Sequence, residues 1–183
     1  DVISIDQTYQ SLLFLKKRAD EDCLNNIHIV QDDIKKTNFT DVADYAIVNG
    51  VLEWIPILED VEVENFYEKS LYSSDKDVEM PGDMQKQFLK TVYSSLKEEG
   101  EMMLAIENRH SHQYYMGRKD PHANLFFTTF LPRPLSNFIS KIFHNKSYRN
   151  YIYSFKDMES MVRGVGFKEC ETYMCFPDYH FPE

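Results

Sequence analysis

Three short β-branched runs, each closing on polar residues, constrain this chain most: "VISID" (2–6), "NNIHIVQDD" (25–33) and "ADYAIVNG" (43–50). Val and Ile favour a pleated backbone, and the flanking Asn, Asp and Gly supply turn signals at the ends of each run. Between the first two, "QTYQSLLFLKKRAD" (7–20) sets Tyr9, Leu12, Leu13 and Lys16 at helical spacing. Strands that alternate with helical or looped segments predict an α/β fold with a mostly parallel sheet flanked by helices.

The rest of the chain extends that pattern. After Pro56 an acidic and aromatic stretch predicts a helix around "VENFYEKSLYSS" and then the loop "DKDVEMPG". "DMQKQFLKTVYSSLKEEG" (83–100) puts Phe88, Leu89, Val92, Tyr93 and Leu96 on one face, with Gly100 where a helix C-cap glycine belongs. "EMMLAIEN" (101–108) reads as a fourth strand. Residues 109–150, rich in His, Tyr, Phe, Arg and Pro without a sustained period, predict an inserted cap with one short helix near "PLSNFISKIF". In "YSFKDMESMVRGVGF" (153–167), Ser154 stands as N-cap, Asp157 follows three residues on, and glycine ends the helix. "KECETYMCF" closes as a last strand with alternating sides.

Composition narrows the classes. A chain of 183 residues with 43% apolar and 14% aromatic content suits one domain, 1–183, with a single core. Its formal charge of −10 argues against an extended phosphate-binding face, hence against nucleic acid as partner. Cys23, Cys170 and Cys175 are an odd number without CxxC spacing, which suggests reduced thiols rather than a disulfide framework or zinc site. No run reaches the roughly 18–20 apolar residues of a membrane span, and no signal peptide opens the chain, so a cytoplasmic protein is expected.

In doubly wound sheets ligands bind outside the carboxyl ends of the strands. Here those ends carry Asp6, Asp32 with Asp33, and Asn49. A strand-terminal carboxylate can accept hydrogen bonds from both hydroxyls of a ribose. Asp6 serves equally well as a cap for the helix that follows it.

In order and spacing, "VISID", "HIVQDDI", "DYAIVNGVLEWI", "FLKTVYSSLKEEGEMMLAIEN" and "YSFKDMESMVRGVGF" together resemble the class I S-adenosylmethionine-dependent methyltransferases. The resemblance covers most of the chain and implies a Rossmann-like methyltransferase fold with S-adenosyl-L-methionine as cofactor. It implies that Asp6 holds the cofactor ribose, Gln7 lies against the adenine face, Asp33 with the Ile34 backbone meets the adenine amino group, and Asn49 with Gly50 borders the methionine portion. Leu52 and Trp54 would cover the site; core packing is the plainer reading of Trp54.

The family's first strand and its Gly-rich loop have no counterpart in this sequence. The chain is therefore expected to be an incomplete, N-terminally truncated domain that binds cofactor weakly or not at all by itself, as part of a larger multidomain chain. "AIENRHSHQYYMGRKDPH" and "FPDYHFP" resemble methyltransferase-like domains of bacterial surface-polysaccharide and glycosyltransferase proteins, although Pro121 separates Asp120 from His122.

Methyl transfer to a small-molecule or glycan-precursor acceptor needs a base only when the acceptor carries a proton that must leave. Glu107 and His110 are the leading candidates, with His112 and His122 near them in sequence, and His titrates in the right range. The spacing of Glu107, His110 and His112 matches no helix-borne metal motif, so no metal is expected. Arg109, Arg118 and Lys119 suit either an acidic substrate or a solvated loop. Two other readings remain at this stage: an NAD-dependent oxidoreductase, where an acid ending a strand also serves a ribose, and a non-catalytic module that keeps the fold without the chemistry.

Overall fold

A β-branched strand, β1 (Val2–Asp6), leads through Gln7 and Thr8 into helix α1 (Tyr9–Glu21), which returns the chain to β2 (Ile27–Gln31). β1 and β2 run parallel, in register from Val2 opposite Ile27 to Asp6 opposite Gln31. The second unit repeats the plan: β3 (Ala43–Asn49) pairs in parallel with β4 (Leu96–Ala105), and α2 (Pro81–Ser95) lies between them in sequence. The computed structural model describes residues 1–56 and 80–175. The helix expected around "VENFYEKSLYSS", most of the loop after it, and the terminal "FPDYHFPE" lie outside the described residues.

The Rossmann-like α/β reading holds, with parallel strands flanked by helices. Among the described residues the strands form two separate two-stranded ladders rather than one continuous sheet. Among the described residues no strand pairs with the second edge of β1 or β3. Large apolar side chains on the faces of these strands, Val2, Ile3, Tyr45 and Ile47, are exposed.

Gly100 does not cap a helix. Helix α2 stops at Ser95, and Leu96 already pairs with Ala43, whereas Tyr45 pairs with Glu101. The residues between form a bulge opposite Asp44. A Cβ on Gly100 would stand 3.0 Å from Leu96 Cβ and 3.1 Å from the Ala43 carbonyl oxygen, so the bulge needs glycine for close backbone approach.

The core sits between the second ladder and two helices. Val48 of β3, Leu52 and Ile55 of the loop, Met84, Phe88, Leu89 and Val92 of α2, and Val162 of the late helix form one buried cluster. Of the apolar face predicted within residues 83–100, Phe88, Leu89, Val92 and Leu96 are buried, whereas Tyr93 is exposed. Buried Gln85 fastens the layers: its Nε2 donates to the carbonyls of Leu52 (2.9 Å) and Tyr151 (2.8 Å), and its Oε1 accepts from the Tyr153 hydroxyl (2.7 Å).

Residues 109–150 contain α3 (His112–Tyr115) and α4 (Arg133–His144), the second at the segment expected to be helical. Helix α5 (Phe155–Val165) starts as its sequence implies, with Ser154 Oγ accepting from the Asp157 N–H (3.2 Å) and donating to the Asp157 carboxylate (2.7 Å). It ends at Gly166, whose φ of 141° and closeness to Tyr93 exclude a side chain. The strand expected from residue 168 onward does not form over 168–175. Alternation gives a segment two faces but no hydrogen-bonding edge to join, and Tyr173 and Met174 stay exposed. All three cysteines are free.

Candidate functional site

The parallel pairing of β3 and β4 brings their carboxyl ends side by side, with Asn49 opposite Ala105. Gly50, at φ 63°, adds one more ladder bond by donating its N–H to the Ala105 carbonyl (2.9 Å). That left-handed turn, which glycine adopts without strain, swings the chain away into residues 51–56. Past the end of β4 the chain continues through Ile106 to Glu107. Beyond these two strand ends lies a cavity of about 370 Å³, walled on the β3 side by Asn49, Gly50, Glu53 and Trp54. Glu107 and three residues from the 109–150 segment, Arg118, Pro121 and His122, complete it.

Charge is concentrated in this wall. Glu107 Oε2 accepts from the Tyr114 hydroxyl at 2.6 Å and lies 3.7 Å from His122 Nε2, with side-chain exposures of only 13% and 6% for the two ion-pair partners. Burial is the largest influence on Glu107 and would raise its pKa. The His122 and Tyr114 contacts, with the charges of His122 and Arg118, outweigh it and hold the carboxyl below its ordinary value. Burial likewise would lower His122, yet Glu107, with the nearby charges of Asp120 and Glu53, raises it. Burial and the Glu107 charge push the Tyr114 phenol up, far outside any physiological range. Trp54 stands edge-on to the imidazole, centroids 4.4 Å apart at 80°. Each member of the pair therefore favours the charged form of the other, and an indole shields the contact.

Asp120, 1% exposed, fixes the loop that delivers Arg118, Pro121 and His122. Its Oδ1 accepts from the backbone N–H groups of His122 (2.8 Å) and Ala123 (3.2 Å) and from Asn150 Nδ2 (2.8 Å). Its Oδ2 accepts from the Tyr148 hydroxyl at 2.7 Å. Four donors on one buried carboxylate offset its desolvation.

The sequence-derived residues fall into two groups. Asn49, Gly50 and Glu107 meet at the cavity. Asp6, Gln7, Asp33 and Ile34 stand together at the carboxyl end of the β1–β2 ladder, where the Asp32 N–H donates to the Asp6 carbonyl (3.2 Å) and Gln31 Nε2 to the Gln7 carbonyl (3.2 Å). None of these four lines the cavity. Asp6 Oδ1 accepts from the Thr8 N–H at 2.6 Å, at the start of α1. Asp33 accepts from the Lys35 N–H (3.0 Å) and has the ammonium groups of Lys35 and Lys36 at 3.9 and 3.8 Å. The Ile34 side chain packs on the core.

His110 does not line the cavity; its Nδ1 lies 2.9 Å from the Tyr115 hydroxyl on the exposed side of α3. His122 is the imidazole beside Glu107. Leu52 is fully buried core, whereas Trp54 lines the cavity. Arg109 spans back to the carbonyls of Thr129 (2.9 Å) and Leu131 (2.6 Å), so it folds the 109–150 segment rather than facing the cavity. Glu53, Tyr114 and the Asp120 network had no signal in spacing, because their partners lie far off in sequence. Among the described residues no three His, Cys, Asp or Glu side chains gather as metal ligands would.

No protein-family model matches the chain, and no curated protein sequence matches it. Solved structures do match in fold. A proposed methyltransferase from Bacillus halodurans superposes with a TM-score of 0.53 at 15% identity, over 93% of this chain and 54% of its own. A proposed O-methyltransferase from Nostoc punctiforme gives 0.56 at 12% identity, over 97% and 41%. A SAM-dependent methyltransferase from Methanosarcina mazei gives 0.52 at 12% identity, over 90% and 68%. The chain thus spans about half the length of the first two, and the likeness establishes a shared fold.

Proposed function

We propose that this chain forms part of an S-adenosylmethionine-dependent methyltransferase acting on a small-molecule or glycan-precursor acceptor. The observation that carries the reading is the cavity at the carboxyl ends of two parallel strands, bordered by the Asn49–Gly50 turn on one strand and Glu107 beyond the other. The residues present fit such a cofactor. Gly50 leaves backbone exposed where a ligand approaches closely. Glu53 and Glu107 supply negative charge suited to a sulfonium and an ammonium group. Asp6 sits with Asp33 at the other ladder end, where a ribose and an adenine would be held.

When bound, that cofactor supplies a methyl group already activated for displacement. The chain's own part is to align and to exclude water, which can lower a barrier by about 7–11 kcal/mol in favourable cases. Trp54 and Pro121 wall the cavity with apolar surface. Arg118 faces it with a positive charge that suits an anionic acceptor. Glu107, ionised and steadied by Tyr114 and His122, is the group placed to take a proton from an acceptor hydroxyl or amine.

Among the described residues the second edges of β1 and β3 are unpaired, which leaves room for a further strand to complete the sheet. Calorimetric titration of the protein with S-adenosylhomocysteine tests the proposal. Binding is expected, and Asp6→Asn should weaken it at least tenfold, in line with about 1.5–3 kcal/mol for hydrogen bonds to a charged group. Absence of heat at millimolar ligand would favour a non-catalytic module, and tighter binding of NAD would favour an oxidoreductase.

A further inference from the structure

The wall of the cavity is rich in hydrogen-bond acceptors and poor in donors. Glu107 is clamped through one oxygen: Oε2 accepts from the Tyr114 hydroxyl (2.6 Å) and faces His122 Nε2 (3.7 Å). Among the described residues no donor reaches its other oxygen, Oε1. Glu53, 1% exposed, borders the same space with a second carboxylate. His122, 7% exposed, adds a ring nitrogen, Nδ1, without a partner among the described residues. On the donor side, the Gly50 N–H is taken by the Ala105 carbonyl, and Arg118 donates to the Gln113 carboxamide. Trp54 adds an aromatic wall, which suits a cation better than an anion. An occupant must therefore bring donors. A hydroxyl carries one N–H or O–H hydrogen, a protonated amine three.

Acid strength points the same way. Burial favours the neutral form of Glu107, but the His122 and Tyr114 contacts outweigh it and hold the carboxyl below its ordinary value. A base works best when its pKa lies near the working pH, so this carboxylate is a weak one. An alkyl ammonium has a pKa of about 10.4, roughly five units below the 15.7 of water, the nearest stand-in for an alkyl hydroxyl. It yields a proton to a weak base about 10⁵-fold more readily.

We propose that the methyl acceptor in this cavity is the nitrogen of a primary or secondary amine, with Glu107 Oε1 as its principal partner. This rests on the transferase reading and narrows it. The bound ammonium gives one proton, by way of Oε1, to solvent. The freed amine attacks with its lone pair: an N–C bond forms as the C–S bond breaks, the electron pair stays on sulfur, and the positive charge ends on nitrogen beside the carboxylate. Arg118, itself exposed, is left for an anionic group elsewhere on the same molecule.

Fluorescence of Trp54, the sole tryptophan and part of the wall, tests this. Ethylammonium chloride, with ionic strength held constant by sodium chloride, is titrated in parallel with ethanol, each with and without S-adenosylhomocysteine. A saturable response to ethylammonium is expected, and none to ethanol over the same range. Glu107→Gln, whose carboxamide oxygen still takes the Tyr114 hydroxyl, should weaken it at least about tenfold, as for a hydrogen bond to a charged group. Arg118→Gln, at an exposed side chain, should strengthen it about two- to fivefold by removing a like charge. An equal response to ethanol, no saturation with ethylammonium, or unchanged affinity in a Glu107→Gln protein of native circular dichroism would each overturn the inference. Failure of S-adenosylhomocysteine to bind, with the ethylammonium response retained, would instead overturn the transferase reading and leave an amine-binding site.

Discussion

Replacing Asp120 by Ala removes the acceptor for four donors at once. Two of them, the Tyr148 hydroxyl and Asn150 Nδ2, belong to residues that are themselves buried, so no water replaces the carboxylate. An unsatisfied buried donor costs about 1–3 kcal/mol, which puts these two at about 2–6 kcal/mol together. The His122 and Ala123 N–H groups add to this unless the loop opens. Asp120→Asn keeps the shape and one carbonyl oxygen for the Oδ1 donors, and should cost only about 1 kcal/mol. Urea unfolding followed by circular dichroism and by the fluorescence of Trp54, the sole tryptophan, reads both numbers. Trp54 adjoins His122, so a loosened loop also shifts its native emission. A cost below about 0.5 kcal/mol for Asp120→Ala, within the range of surface substitutions, would refute the reasoning. Equal costs for the two variants would refute the donor count in favour of charge alone.

Two further outcomes follow from the geometry. Gly166→Ala places a Cβ 2.7 Å from Tyr93 Cζ at a φ of 141°, and should destabilise by at least about 1–3 kcal/mol in the same unfolding assay. Glu107 and His122 should also make stability depend on pH from both sides. Glu107 has a lowered pKa, so its contribution is present above its ordinary value of 4.5 and is lost as pH falls through the lowered one. His122 has a raised pKa, so its contribution is full below 6.5 and is lost as pH rises through the raised one. Urea midpoints measured against pH should fall on both flanks, and His122→Gln should remove the alkaline decline.

What the sequence made legible was local. β-Branched runs gave the strands, the spacing of Phe88, Leu89 and Val92 gave the buried face of α2, and Ser154 with Asp157 gave the start of α5, because each signal lies within a few residues of its effect. Gly100 misled because glycine marks a bulge as readily as a helix end, and only the position of Ala43 across the ladder distinguishes the two. The same limit applies at the cavity. Glu107 stood out at the end of a strand, but its partner His122 is fifteen residues on, delivered by a loop that Asp120 ties to Tyr148 and Asn150. His110, nearer in sequence, points instead to Tyr115. Leu52 and Trp54, two residues apart, part ways into core and cavity because the turn after Gly50 rotates one inward and the other toward His122.

The most direct measurement is an amide-resolved nuclear magnetic resonance titration of the protein with S-adenosylhomocysteine. If both ladder ends hold one adenosyl cofactor, the amides of Gln7, Asp33, Ile34 and Gly50 shift along a single saturation curve. Movement at only one ladder end, or none at millimolar ligand, would contradict the account.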